Sequence, residues 1–111
     1  MSLEDHTETN QTAHEVAKRK LRYILLNGCI GRENAMSGKA LAQETPVSSS
    51  TIRDLIKELR SEGVPVVSLG QGYFVINTSS EFSKVIERID SEIQTRQETK
   101  RELYDALTNE S

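Results

Sequence analysis

Apolar positions change their spacing along this chain, and each change marks an element. Ala17, Leu21, Ile24 and Leu25 recur at helical spacing. That spacing predicts a first helix over residues 12–28, with Thr12 as N-cap and Gly28 as its end. A short second helix is predicted from Gly38 to about Glu44, with Ser37 as N-cap and Leu41 and Ala42 turned inward. A Thr45-Pro46-Val47 turn leads to a third helix that begins at Ser48, runs to Ser61 or Glu62 and is ended by Gly63. At 100° per residue, Ile52, Leu55, Ile56 and Leu59 form one stripe of that helix. Ser50, Asp54, Lys57 and Ser61 lie opposite, with Arg53 at the stripe's edge.

Two short apolar runs follow, residues 64–68 and 73–77, and they read as strands. The Leu69-Gly70-Gln71-Gly72 turn joins them, with glycine supplying positive φ. A further short strand is expected near Ala35 and Met36. On the second strand Tyr73 and Val75 face one way, Phe74 and Ile76 the other, so both faces are apolar. A ribbon packed on one side only would alternate. Something must cover the second face, either the following helix or another subunit.

The last element opens with Thr78-x-x-Glu81, a capping box, and holds no Gly or Pro from residue 79 onward. Phe82, Ile86, Ile89 and Ile93 step by 4, 3 and 4, and the frame continues through Arg96 and Lys100 to Leu103 and Leu107. This is a heptad seam with two bases in its middle. A helix over 79–107 would be about 43 Å long, more than a small domain can cover. The seam therefore predicts a self-pairing dimerisation element and a homodimer. The competing reading folds the helix back on its own domain through Phe82 to Ile93.

Composition narrows the picture. The 111 residues are 28% charged and 5% aromatic, with no Trp, so the core must be aliphatic and thin. Residues 1–11 are polar, acidic and aperiodic, and are expected to be a disordered tail. The net charge of −3 is unevenly spread: −3 over residues 1–11, +3 over 12–78 and −3 over 79–111. Only the middle block is basic. The single cysteine, Cys29, excludes an internal disulfide framework and reads as a buried thiol. No apolar run approaches the ~20 residues that span a bilayer, and the opening MSLEDHTETNQ does not resemble a signal peptide. A cytoplasmic protein without membrane association is expected.

Helix, turn, amphipathic helix and two-stranded ribbon, in that order, spell an α+β, mostly α, winged helix-turn-helix over 12–78, followed by a C-terminal helix over 79–111. The residues Leu41-Ala42-x-x-x-x-Val47-Ser48-x-x-Thr51-Ile52-Arg53, then Leu59-Arg60-x-x-Gly63 and Gly72-Tyr73, resemble the winged helix-turn-helix superfamily. The likeness is nearest to the N-terminal DNA-binding domain of biotin operon repressors. Small phage and archaeal winged-helix regulators with a C-terminal helix are also similar. The resemblance implies that the helix after Ser48 is a recognition helix and the Leu69–Gly72 turn a wing. One departure stands out: the family usually has Gly where Pro46 stands and an apolar residue at Thr45. Proline cannot adopt positive φ, so this turn is expected to differ in detail.

Candidate chemistry follows. A recognition helix needs short polar side chains at its start and longer donors further along. Ser48, Ser49, Ser50 and Thr51 meet the first need, Arg53 and Lys57 the second. Arg can bridge guanine O6 and N7, and Asp54 can accept from cytosine N4 or pair with Lys57 on its own helix. Ser37 and Lys39 suit a phosphate at the second helix, and Gln71 and Ser68 a contact from the wing. Lys18, Arg19, Lys20 and Arg22 on the first helix serve either as a solvated face or as phosphate ligands. The function expected is a sequence-specific double-stranded DNA-binding regulator, most simply a repressor. The rival is a winged-helix protein-interaction module that binds no DNA, which the small basic excess and the uncharged wing favour. His6 and His14 belong to no catalytic or zinc motif, and no phosphate loop occurs. No enzyme activity, cofactor, metal or small-molecule ligand is expected.

Overall fold

The structure is a computed structural model that describes residues 3–70 and 72–109, with side chains from Ala13 onward. It divides into two compact units, Met1–Asn77 and Thr78–Ser111.

In the first unit, α1 spans Leu3–Gly28, α2 Gly38–Glu44 and α3 Ser49–Ser61, followed by strands β1, Val66–Ser68, and β2, Tyr73–Val75. A single 3₁₀ turn, Arg32–Asn34, lies between α1 and α2. The start of α1 differs from the expected one: the backbone is helical from Leu3, so Thr12 lies inside the helix and is not its N-cap. The segment has no Gly or Pro before Gly28.

The caps of α2 and α3 follow the sequence closely. Ser37 Oγ accepts from the Ala40 amide at 3.0 Å, and Ser48 Oγ from the Thr51 amide at 3.1 Å. Gly63, at φ 100°, terminates the α3 region as expected. The strands are shorter than expected, three residues each; the residues that drop out lie at the end away from the turn, where Pro65 has no amide to donate to a ladder. They run antiparallel with Val66 opposite Val75 and Ser68 opposite Tyr73. The strand expected near Ala35 and Met36 reduces to an isolated bridge. Met36 N donates to Tyr73 O at 3.0 Å and Tyr73 N to Met36 O at 2.7 Å.

One aliphatic core holds the unit together. Leu21, Leu25 and Cys29 of α1 and its end, Leu41 of α2, Ile52, Leu55, Ile56 and Leu59 of α3, and Val66 and Val75 of the ribbon are all buried in it. Phe74, on the opposite pleat face from Val75, is also buried, so both faces of β2 are covered. At about 25 cal/mol per Å² of apolar surface, each fully buried Leu or Ile contributes roughly 1.5–3 kcal/mol. The three-helix arrangement places the α3 stripe inward and leaves its opposite side outward.

The turn between α2 and α3 departs from the sequence reading. Pro46 adopts φ 24°, in the positive range that the pyrrolidine ring opposes, so the bend normally made by glycine is made here against the ring. Thr45, in the place of an apolar residue, is buried and still satisfied: its Oγ1 donates to Leu41 O at 2.7 Å. The helix-turn-helix bend is thus preserved at the expense of local backbone strain.

In the second unit, α4 spans Ser79–Asn109, 31 residues, and Thr78 Oγ1 accepts from the Glu81 amide at 3.1 Å as its cap. Val85 is its buried residue among those described. Phe82, Ile86, Ile89 and Ile93 are exposed, and Leu103 and Leu107 are 66% and 72% exposed.

Candidate nucleic-acid interface

The apolar stripe of α3 fixes the rotation of that helix, and the rotation decides which polar side chains face out. Ile52, Leu55, Ile56 and Leu59 are buried, so Ser49, Ser50, Arg53, Asp54 and Lys57 are exposed together on the far side. Thr51 is half-buried beside them. Arg53, Asp54 and Lys57 form no ion pair among the described residues, so the pairing of Asp54 with Lys57 is not made. All three are free to meet a ligand. The two cationic ends lie one helical turn apart on one rod.

The start of α3 is a hydroxyl cluster. Ser48 Oγ lies 3.1 Å from Ser50 Oγ and 2.8 Å from Thr51 Oγ1, besides accepting the Thr51 amide. The cap therefore orders these small groups at the end of the helix where the backbone can approach a groove most closely. Ser37 and Lys39 are exposed at the start of α2. In the wing, Ser68 is exposed and Gly70 and Gly72 take φ 82° and 137°. Gln71 lies outside the described residues.

The basic run of α1 has a different fate from the α3 cations. His14 Nε2 sits 2.8 Å from Glu58 Oε2, and Lys18 Nζ sits 2.7 Å from Glu62 Oε2 and 3.4 Å from Glu58 Oε1. Arg22 also pairs with Glu62. His14, Lys18 and Arg22 recur every four residues on α1, and Glu58 of α3 and Glu62 at its C-cap are four apart as well, so two matching rows meet. The hydrogen bond from His14, with help from Lys18, holds the Glu58 carboxyl below the usual range. That from Lys18, with Arg22 nearby, does the same for Glu62, and the Glu62 bond raises Lys18. Sequence reading missed this network, although the i, i+4 spacing of both rows carried the signal. Arg19 and Lys20, one residue off the row, are exposed.

Arg60 serves the fold: its Nε donates to Val66 O at 3.0 Å, tying α3 to the first wing strand. Cys29 is buried, and desolvation raises its thiol pKa, which makes it an inert core residue. Among the described residues no group of three or more His, Cys, Asp or Glu is placed to hold a metal ion, and no helix is long and apolar enough to cross a membrane.

No curated protein and no solved structure matches the chain. Nothing therefore links it to the biotin-repressor branch in particular. The family model described as an HTH domain matches residues 20–74, which takes in the last third of α1, all of α2 and α3, β1 and the start of β2. HTH domains are binding units rather than catalytic ones, and their fold is consistent with DNA-binding regulation. With three helices, a two-stranded antiparallel wing and an added C-terminal helix, the chain carries a winged helix-turn-helix domain.

Proposed function

We propose that the protein is a cytoplasmic, sequence-specific double-stranded DNA-binding transcriptional regulator, a repressor that acts as a homodimer and places α3 in the major groove. The observation that carries this reading is the outward α3 face, where Ser49, Ser50, Arg53, Asp54 and Lys57 stand exposed opposite a fully buried stripe. Small hydroxyls at the helix start let the backbone approach base edges. Arg53 reads guanine, Asp54 accepts from cytosine, and Lys57 neutralises a phosphate. Ser37 and Lys39 anchor a phosphate beside α2, and Gln71 a contact from the wing. The exposed apolar seam of α4 supports pairing with a second copy, which presents two recognition helices to half-sites one helical turn apart, about 34–36 Å, or a multiple of that.

The test is selection of bound duplexes from a random pool, with the stoichiometry of the complex measured alongside. The expected result is a palindromic consensus bound by two chains, with affinity falling steeply as salt rises. A second reading, a winged-helix module that binds another protein, is favoured by one observation: Lys18 and Arg22 are neutralised by Glu58 and Glu62, which thins the basic surface. Absence of duplex binding at low salt would select that reading.

A further inference from the structure

The exposed stripe of α4 carries its own instructions for how two copies meet. Phe82, Ile86, Ile89 and Ile93 lie on one side of its first half, and Leu103 and Leu107 continue the same frame in its second half; all are exposed. Between them the frame passes through Arg96 and Lys100, also exposed and in no ion pair among the described residues. The acids nearest the seam, Asp90 and Glu92, fall in the first half, and Glu92 meets Arg88 of its own helix at 3.4 Å. The helix is therefore apolar and acid-flanked toward its start, and cationic along the seam past its middle.

We propose that α4 pairs with α4 of a second copy in antiparallel orientation, centred between Gln94 and Thr95. This rests on the homodimer reading above and adds its direction and register. A parallel, in-register pair would set Arg96 against Arg96 and Lys100 against Lys100 in consecutive core layers. Its flanking positions would offer Glu92 only an uncharged Gln97 in return, so four cations would face each other without relief. In the antiparallel pair each seam cation meets an apolar residue instead. Ile93 lies against Arg96 of the second copy and Ile89 against Lys100. The long aliphatic stems of both cations cover the isoleucines, and their charged ends reach Asp90 and Glu92 at the edges of the same layers. The outer layers become wholly apolar, Phe82 with Leu107 and Ile86 with Leu103. Over a helix of about 46 Å, one antiparallel register thus satisfies both the seam and the charges. Its consequence for the assembly is that the two Thr78 caps stand at opposite ends of the paired rod.

Disulfide trapping on the full chain tests this, because a disulfide forms only where Cα atoms come within about 7 Å. The variants are Ile86→Cys and Leu103→Cys, each checked for helicity by circular dichroism; Cys29 is buried, and the parent chain oxidised alone is the control for it. The expected result is that the mixed variants give a crosslinked dimer, while either alone gives at least tenfold less. Efficient crosslinking of each variant alone would overturn the antiparallel register while leaving the homodimer in place. Sedimentation of the unmodified protein as a monomer at tens of micromolar would overturn the pairing itself. Duplex binding by the same preparation, scored by gel shift, reports on the regulatory reading independently, since a monomer that binds DNA and a dimer that does not are separate outcomes. A third variant, Lys100→Glu, places an acid beside Asp90 and Glu92 and is expected to weaken dimerisation at least tenfold. Unchanged association would contradict the register.

Discussion

Lys18 Nζ lies 2.7 Å from Glu62 Oε2, and this bond ties α1 to the C-cap of α3. Its consequence is a division of labour among the cations. Those on the α1 row are spent on holding α3 in place, and those on the outward face of α3 remain available. The bulk charge of the basic block therefore overstates what a DNA backbone would meet.

The same bond makes stability depend on acidity. Glu58 and Glu62 have lowered pKa values in the fold, so their contribution is present above the ordinary carboxylate range and is lost as pH falls through the lowered folded values. Thermal melting is expected to decline between about pH 5 and pH 3. In the Glu58→Gln/Glu62→Gln double variant this part of the decline should flatten. An identical slope in variant and parent would show that the network adds nothing.

Pro46 at φ 24° predicts that a stabilising change is available. Glycine adopts this conformation freely, whereas the proline ring resists it. Relief of strain of about 1–3 kcal/mol is set against a loss of about 0.4–1 kcal/mol from a more flexible unfolded chain. Pro46→Gly is expected to raise the melting temperature by a few degrees, read by circular dichroism. A lower melting temperature would mean that the turn is not strained.

Gly72 predicts the opposite sign. It sits at φ 137°, and a Cβ built there would run into the backbone carbonyl of Met36, which cannot step aside without breaking its bridge to Tyr73. Gly72→Ala is expected to cost about 1–3 kcal/mol in urea unfolding. Gly63, with open space around its Cβ position, has strain only from its φ of 100° and should tolerate Ala or Asn better.

Capping at Ser48 gives a prediction that separates stability from recognition. Its hydroxyl accepts the Thr51 amide, so Ser48→Ala should cost about 0.5–2 kcal/mol. Chemical denaturation measures this directly. Ser49→Ala, one residue on and making no cap bond, should leave stability unchanged within about 0.5 kcal/mol.

On the proposed interface, Arg53→Ala is expected to weaken binding to the selected duplex by about 1–3 kcal/mol and to relax specificity at one position. Lys57→Ala should weaken binding to all duplexes alike and reduce the salt slope by about one. Fluorescence anisotropy across a salt series distinguishes the two. Equal losses on specific and random duplex for Arg53→Ala would remove it from base reading.

Periodicity and caps by themselves determined most of the first unit. The stripe Ile52, Leu55, Ile56 and Leu59, the caps at Ser37, Ser48 and Thr78, and the end at Gly63 are local features. A hydroxyl, a positive φ or a 3.6-residue repeat expresses itself within one or two turns of chain. The outward face of α3 was legible for the same reason, because a helix with one buried stripe has only one opposite side. Tertiary structure decided the rest. The i, i+4 rows of His14, Lys18 and Arg22 and of Glu58 and Glu62 could be read locally, but not that the two rows would meet, since residues about 40 apart pair only once α1 and α3 have packed. The length of α1 was misread because helical propensity without an apolar stripe looks the same as a polar tail in a pattern of hydrophobicity. Pro46 could take a positive φ only because the packed helices on either side over-determine the bend between them, which no propensity of proline would have allowed.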